Sequence, residues 1–125
     1  LRVVDTSIAV DHLRGHPSAV ALLHDQFLAG EPLAASEVFR FELLSGVRDG
    51  ELSATERLFL AFDWLPVTES VARLAGDLAR TYRRSHPGID AADYLIAATA
   101  LILDAELLTL NVQHFPMLAG LLAPY

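Results

Sequence analysis

The chain has no cysteine and no lysine among its 125 residues. Without cysteine there are no disulfides, no thiolate nucleophile and no zinc–sulfur site. Without lysine there is no Schiff base and no P-loop; all nine basic residues are arginine. No apolar run is long enough to span a membrane, and the N-terminus lacks the layout of a signal peptide. A reducing cytoplasm, where disulfides are rare in any case, is the expected compartment for a chain without cysteine. Internal repeats, low-complexity tracts and linkers are also missing. Basic charge is scarce: sixteen acids face nine bases, for a net charge of −7. Such a surface is a poor general binder of nucleic acid. Phosphate chemistry would need a local arginine patch or bound cations.

What is present is apolar. The hydrophobic fraction is 53%, enough for a real core and for a subunit interface. The length fits one domain over residues 1–125. Short apolar runs alternate with helical patterns, the signature of an α/β domain built on a parallel sheet. Strands are expected at Arg2–Asp5, Leu33–Ala35, Trp64–Val67 and Leu107–Leu110, with one more at Leu121–Ala123. Pro66 confines the third to an edge or a loop. Helices are expected over Ile8–Leu13 and Pro17–Leu28, and from Glu37 toward Gly50. Others should cover Ala54–Phe62, Glu69–Ser85 and Ala91–Leu103, with a short last helix after Asn111. Val20, Leu23 and Phe27, with Ala19 and Leu22, recur at helical spacing on the second helix and should face the core; Phe41, Leu44 and Val47 mark the buried face of the third. Ser36, Ser53 and Thr68 are expected caps.

Asp5 ends the first apolar run and is followed by Thr6 and Ser7. The carboxyl end of a parallel strand is where open α/β sheets bind ligands. A helix cap is the competing role, but Thr6 or Ser7 could fill it. Asp90 and Asp93 stand three apart at the start of the sixth helix, the spacing of a capping box. Asp93 opens an almost wholly apolar helix, so its carboxylate meets the interior rim and needs a cation or hydrogen bonds. Glu42 lies near the edge of a buried helical face. Asn111 follows the fourth strand as Asp5 follows the first, and His114 comes one turn later. Taken singly, these residues suit caps, a solvated glutamate and a packed histidine. Taken together, Asp5, Asp93 and Asn111 belong to one sheet edge, with Glu42 within reach. Hard oxygen donors without cysteine suit Mg²⁺ or Mn²⁺, and such ions act on phosphoryl oxygens.

The blocks Val3-Val4-Asp5-Thr6-Ser7, Glu42-Leu43-Leu44-Ser45-Gly46, Asp93 to Ala100, and Leu108-Thr109-Leu110-Asn111 with His114-Phe115 resemble those of PIN-domain proteins. The closer likeness is to the VapC toxins of VapBC toxin–antitoxin pairs. The blocks come in the family's order and spacing across nearly the whole chain. The resemblance implies a three-layer α/β/α sandwich around a parallel sheet of four to five strands. It implies a Mg²⁺- or Mn²⁺-dependent endoribonuclease acting on RNA, inhibited by a cognate VapB-like antitoxin. Asp5, Glu42 and Asp93 match the family's acidic metal site, and Ser7 matches a hydroxyl that supports it. The fourth acidic position of the family is Asn111 here, and a further acid downstream is replaced by His114. The site therefore carries less negative charge for a second ion. Arg80, Arg83 and Arg84 are a candidate grip on the RNA backbone. The apolar surplus fits a homodimer surface and a groove for partner helices.

Asn111 and His114 also suit a different reading, a PIN fold kept as a catalytically weak protein-binding module. A phosphotransfer receiver domain puts aspartates at strand ends too, but relies on a lysine that this chain lacks. A haloacid-dehalogenase-like phosphatase needs an aspartate two residues after its nucleophile, where Ser7 stands.

Overall fold

A computed structural model describes all residues, 1–125. Four strands form its sheet: β1 (Arg2–Val4), β2 (Leu33–Ser36), β3 (Asp63–Leu65) and β4 (Glu106–Leu108). All pairings are parallel and the spatial order is β3-β2-β1-β4. Six helices connect them: α1 (Thr6–Leu13), α2 (Pro17–Leu28), α3 (Glu37–Ser45), α4 (Leu52–Phe59), α5 (Glu69–Tyr82) and α6 (Ala91–Ile102). β1 and β2 are buried on both faces, as a sheet covered on two sides requires.

Side chains alternate across the sheet with the strand's period of two. Val4, Leu33, Ala35 and Leu108 face one layer, where they meet Ile8 of α1, Leu23 of α2, Phe39 and Leu43 of α3 and Leu58 of α4. Val3, Ala34 and Leu107 face the other, packing on Ile96, Ala97 and Ala100 of α6 and on Phe115. Helix α5 covers the outer side of α6 through Val71 and Ala75, which meet Tyr94 and Ala98. The molecule is thus the expected three-layer sandwich with a parallel sheet.

Helix starts follow local chemistry. Pro17 occupies the first turn of α2, where its missing N–H costs nothing. The hydroxyls of Ser36 and Thr68 accept hydrogen bonds from the Val38 and Val71 amides, capping α3 and α5. Helix α4 differs from expectation: it begins at Leu52, after Glu51, and ends at Phe59, so Ser53 lies inside it.

Three further expectations change. Phe41 is 70% exposed and Phe39 is fully buried, so α3 turns a different stripe inward. Val38, Phe39, Phe41, Leu43 and Leu44 ring much of this helix, and the pairing of Phe39 with Leu43, four apart, prevails because it faces the sheet. Phe27 and Val20 of α2 are likewise exposed, at 71% and 39%, while Ala19 and Leu23 are inside. Leu121–Ala123 form no strand, so the sheet keeps four and β4 remains an edge.

Candidate active site

The sheet order makes β1 the point where the chain reverses direction: β2 lies on one side of it and β4 on the other. The carboxyl ends of such neighbouring strands open a crevice. Asp5 sits there. Its amide donates to the Leu108 carbonyl at 2.9 Å, extending the β1–β4 ladder. Its carboxylate is almost buried, 3% exposed. Although Asp5 stands at the N-cap position of α1, its side chain caps nothing. Instead Oδ2 accepts from the hydroxyls of Thr109, at 2.7 Å, and Ser7, at 3.1 Å. Ser7 Oγ in turn accepts from the Leu110 amide, and Thr109 Oγ1 from the Asn111 amide, each at 3.0 Å. Both hydroxyls thus fix one carboxylate oxygen and leave Oδ1 for a ligand.

Helix α6 opens with the capping box. Asp90 Oδ1 accepts from the Asp93 amide at 2.9 Å, and Asp93 Oδ2 accepts from the Asp90 amide at 3.2 Å. Asp93 Oδ2 also lies 3.1 Å from Nδ1 of His114. Asp93 is 8% exposed. Burial, more than the neighbouring charges of Asp90 and Asp5, raises its pKa to about 6. The hydrogen bond from the Asp90 amide and the nearby His114 ring pull the other way.

Glu42 projects from the middle of α3. It is half-buried, and the Thr6 hydroxyl donates to its Oε1 at 2.6 Å. Desolvation raises its pKa, reinforced by the charges of Asp5 and Asp90 and opposed by the Thr6 hydrogen bond. Asn111 precedes a single 3₁₀ turn, Val112–His114, and its side chain makes no cap. Its side-chain amide makes no hydrogen bond within the protein, although its backbone amide holds Thr109.

These side chains line one open cavity of about 380 Å³, bounded by Asp5, Ser7, Glu42, Asp93, Asn111 and His114. All six residues named in the sequence as candidates or as departures from the family pattern are therefore brought together. Four contributors are not marked as such in the sequence. Thr6, expected only as a cap, lines the cavity and holds Glu42. Asp90, treated as a cap, also lines the cavity, as does Asp11. Thr109 is completely buried and holds Asp5. Its signal was a hydroxyl ending an apolar strand, the same pattern that marked Asp5. The proposed RNA grip is elsewhere: none of Arg80, Arg83 and Arg84 lines this cavity, and Arg80 is paired with Asp77 at 2.6 Å.

The donors fit a hard divalent cation that keeps water in its shell. No three acidic or histidine side chains close on one point, so the side chains as they stand do not by themselves enclose an ion. Burial is the main cause of the raised pKa values of Glu42 and Asp93, and the like charges of Asp5 and Asp90 add to it, so a cation bound between these groups would relieve both.

The PIN domain family matches residues 2–120. Ribonuclease VapC19 of Mycobacterium tuberculosis is 58% identical over 125 residues, covering 100% of both chains. Ribonuclease VapC10 of the same species is 46% identical over 123 residues, covering 98% of this chain and 92% of that one. Among solved structures, VapBC-1 from nontypeable Haemophilus influenzae superposes with a TM-score of 0.74 at 28% identity, covering 91% of this chain and 89% of that chain.

Proposed function

Because the chain belongs to the PIN-domain family, and shares its full length with a VapC ribonuclease, we propose that the acidic cavity is its catalytic centre. The protein is the toxin of a type II toxin–antitoxin pair, an endoribonuclease restrained by a cognate VapB antitoxin. Its substrate is RNA, its setting the cytoplasm, and its cofactor Mg²⁺ or Mn²⁺. The observation that carries this reading is the gathering of Asp5, Glu42 and Asp93 at the β1–β4 crevice.

Asp5, Glu42 and Asp93 would hold the cation, directly or through water. A bound divalent ion supplies charge stabilisation at the phosphoryl oxygens and a more acidic water for attack. The chain's own part is orientation. Ser7 and Thr109 fix Asp5 through one oxygen. The Asp90 amide and His114 fix Asp93 through one oxygen, and Thr6 holds Glu42. Supporting groups of this kind set ligand direction and basicity. Asn111 offers both a donor and an acceptor to the substrate. The exposed Phe27, Phe41 and Leu60 are apolar surface for a homodimer and for the antitoxin.

The test is cleavage of a mixed RNA pool with Mg²⁺ or Mn²⁺, with EDTA, and by Asp5→Asn. Cleavage should need the ion and should be lost in the variant. Cleavage that ignores both sinks the metal assignment. A folded protein that cuts no RNA yet binds its antitoxin is the binding module.

A further inference from the structure

An acidic cavity repels the nucleic-acid strand it must thread. Cations held by carboxylates neutralise the scissile phosphate, but the flanking phosphates need cationic groups of their own. Of the nine arginines, four are engaged by carboxylates: Arg2, Arg40, Arg73 and Arg80. Arg57, Arg83 and Arg84 line neither the acidic cavity nor the one beside it. Arg14 and Arg48 remain.

Both line a small second cavity of about 60 Å³. Val10 and Glu42 form the shared wall between it and the acidic cavity. Arg14 follows the last residue of α1, whose first residue follows Asp5. A helical rise of about 1.5 Å per residue puts Arg14 roughly 13 Å along that helix from Asp5. Arg48 lies in the loop after α3, the helix that carries Glu42. Both are exposed, and neither guanidinium has a carboxylate within 4.0 Å. The end of α1 and the loop after α3 thus each carry a free guanidinium on the cavity that shares its wall with the acidic one. Guanidinium forks suit phosphate oxygens.

We propose that Arg14 and Arg48 hold the RNA backbone beside the scissile bond, as positioning residues for the strand that crosses the acidic cavity. The proposal rests on the ribonuclease reading above. The phosphates are recognised irrespective of base, so the pair sets affinity and path, not sequence preference.

The experiment measures binding of a fluorescently labelled single-stranded RNA by anisotropy between 50 and 200 mM salt, roughly the range over which phosphate contacts reveal themselves. Wild type, Arg14→Gln/Arg48→Gln, Arg14→Lys/Arg48→Lys and Arg83→Gln/Arg84→Gln are compared in EDTA, which blocks cleavage. The glutamine pair should bind about tenfold more weakly or worse. Each lost contact should reduce the slope of log K against log salt by about 0.7. The lysine pair should keep most of the slope, and the Arg83/Arg84 pair should match wild type. Equal melting temperatures confirm that all four are folded. An unchanged slope in the glutamine pair overturns the proposal. So does unchanged RNA binding with weakened antitoxin binding, which would give the arginines to the protein partner. If wild type cleaves RNA but ignores these substitutions, only this proposal fails; if wild type neither binds nor cleaves RNA, the ribonuclease reading fails with it.

Discussion

Helix α3 joins two regions built on opposite principles. On its inner side Phe39 packs with Phe59, Phe62 and Trp64, with ring centroids 5.3–6.5 Å apart from it. Here everything polar is satisfied: the Trp64 indole donates to the Phe59 carbonyl at 3.0 Å. The Arg40 guanidinium lies 3.7 Å over the Trp64 ring while bonding Glu37. One turn on, Glu42 faces Asp5, Asp90 and Asp93 across the acidic cavity, and burial pushes its pKa up. The aromatic nest gains from every group placed in it. The acidic cavity gathers carboxylates that would each be better off apart. A fold keeps such a cluster only where another part of it supplies stability to spare, and the contrast separates the scaffold from the chemistry.

The comparison breaks first at Asp5. Asp5→Asn should lower metal-dependent RNA cleavage by at least about 100-fold, since several kcal/mol of charge stabilisation depend on the ion. Its metal-free melting temperature should not fall, because the amide oxygen still accepts from Thr109 and one repulsive charge is gone. Phe39→Ala should do the reverse, costing about 3–5 kcal/mol in denaturant unfolding. Its cleavage rate, measured well below its melt, should stay within a few-fold of wild type. A Phe39→Ala protein as stable as wild type would mean that the nest is not the scaffold.

A smaller effect lies in pH. The pKa of Asp93, about 6 when folded, exceeds the unfolded value of 3.8. Its stabilising contribution is therefore complete below the unfolded pKa and is lost as pH rises through about 6. Without metal, the protein should be about 1 kcal/mol more stable at pH 5 than at pH 7.5 from this group. Glu42, shifted in the same direction, adds to the trend. Unfolding by urea at the two pH values measures it. Asp93→Asn should flatten the difference, and so should saturating Mn²⁺, which supplies the missing countercharge. The smallest effect is expected from Thr6→Val, which frees Glu42 Oε1. Cleavage should drop a few-fold, and the acid limb of its pH profile should move to higher pH. A limb that stays in place would detach Glu42 from the reaction.

Much of this was legible in the sequence because the site lies at element ends, where polar residues interrupt apolar runs. Asp5 and Asn111 both follow strands, and Asp93 starts a helix. The helices of one layer could not be oriented from pattern alone. With five apolar residues in seven from Val38 to Leu44, no single stripe stands out, and the spacing that points Phe41 inward gives no sign that the sheet takes Phe39. Phe27 fails for a related reason: the periodic stripe of α2 extends beyond what the sheet can cover. The tail from Leu121 to Ala123 has strand composition, but composition supplies no pairing partner, and Leu121 packs its side chain on the Val3, Ala34 and Leu107 layer without joining the sheet. Thr109 and Asp90 were visible as residues, yet their second role depends on which strands become neighbours, and that is a property of the sheet order.

Asp93 serves as both helix cap and site carboxylate, through the reciprocal bonds with Asp90. That double duty constrains how the protein can be disarmed during evolution. Alanine at 93 would remove the side chain's half of the cap along with the ligand, and would fray the helix that fills one layer of the core. Asparagine would keep the oxygen that the Asp90 amide needs and discard only the charge. At this position, a lineage that selects against the enzyme while still selecting for a folded partner of the antitoxin is therefore steered toward asparagine.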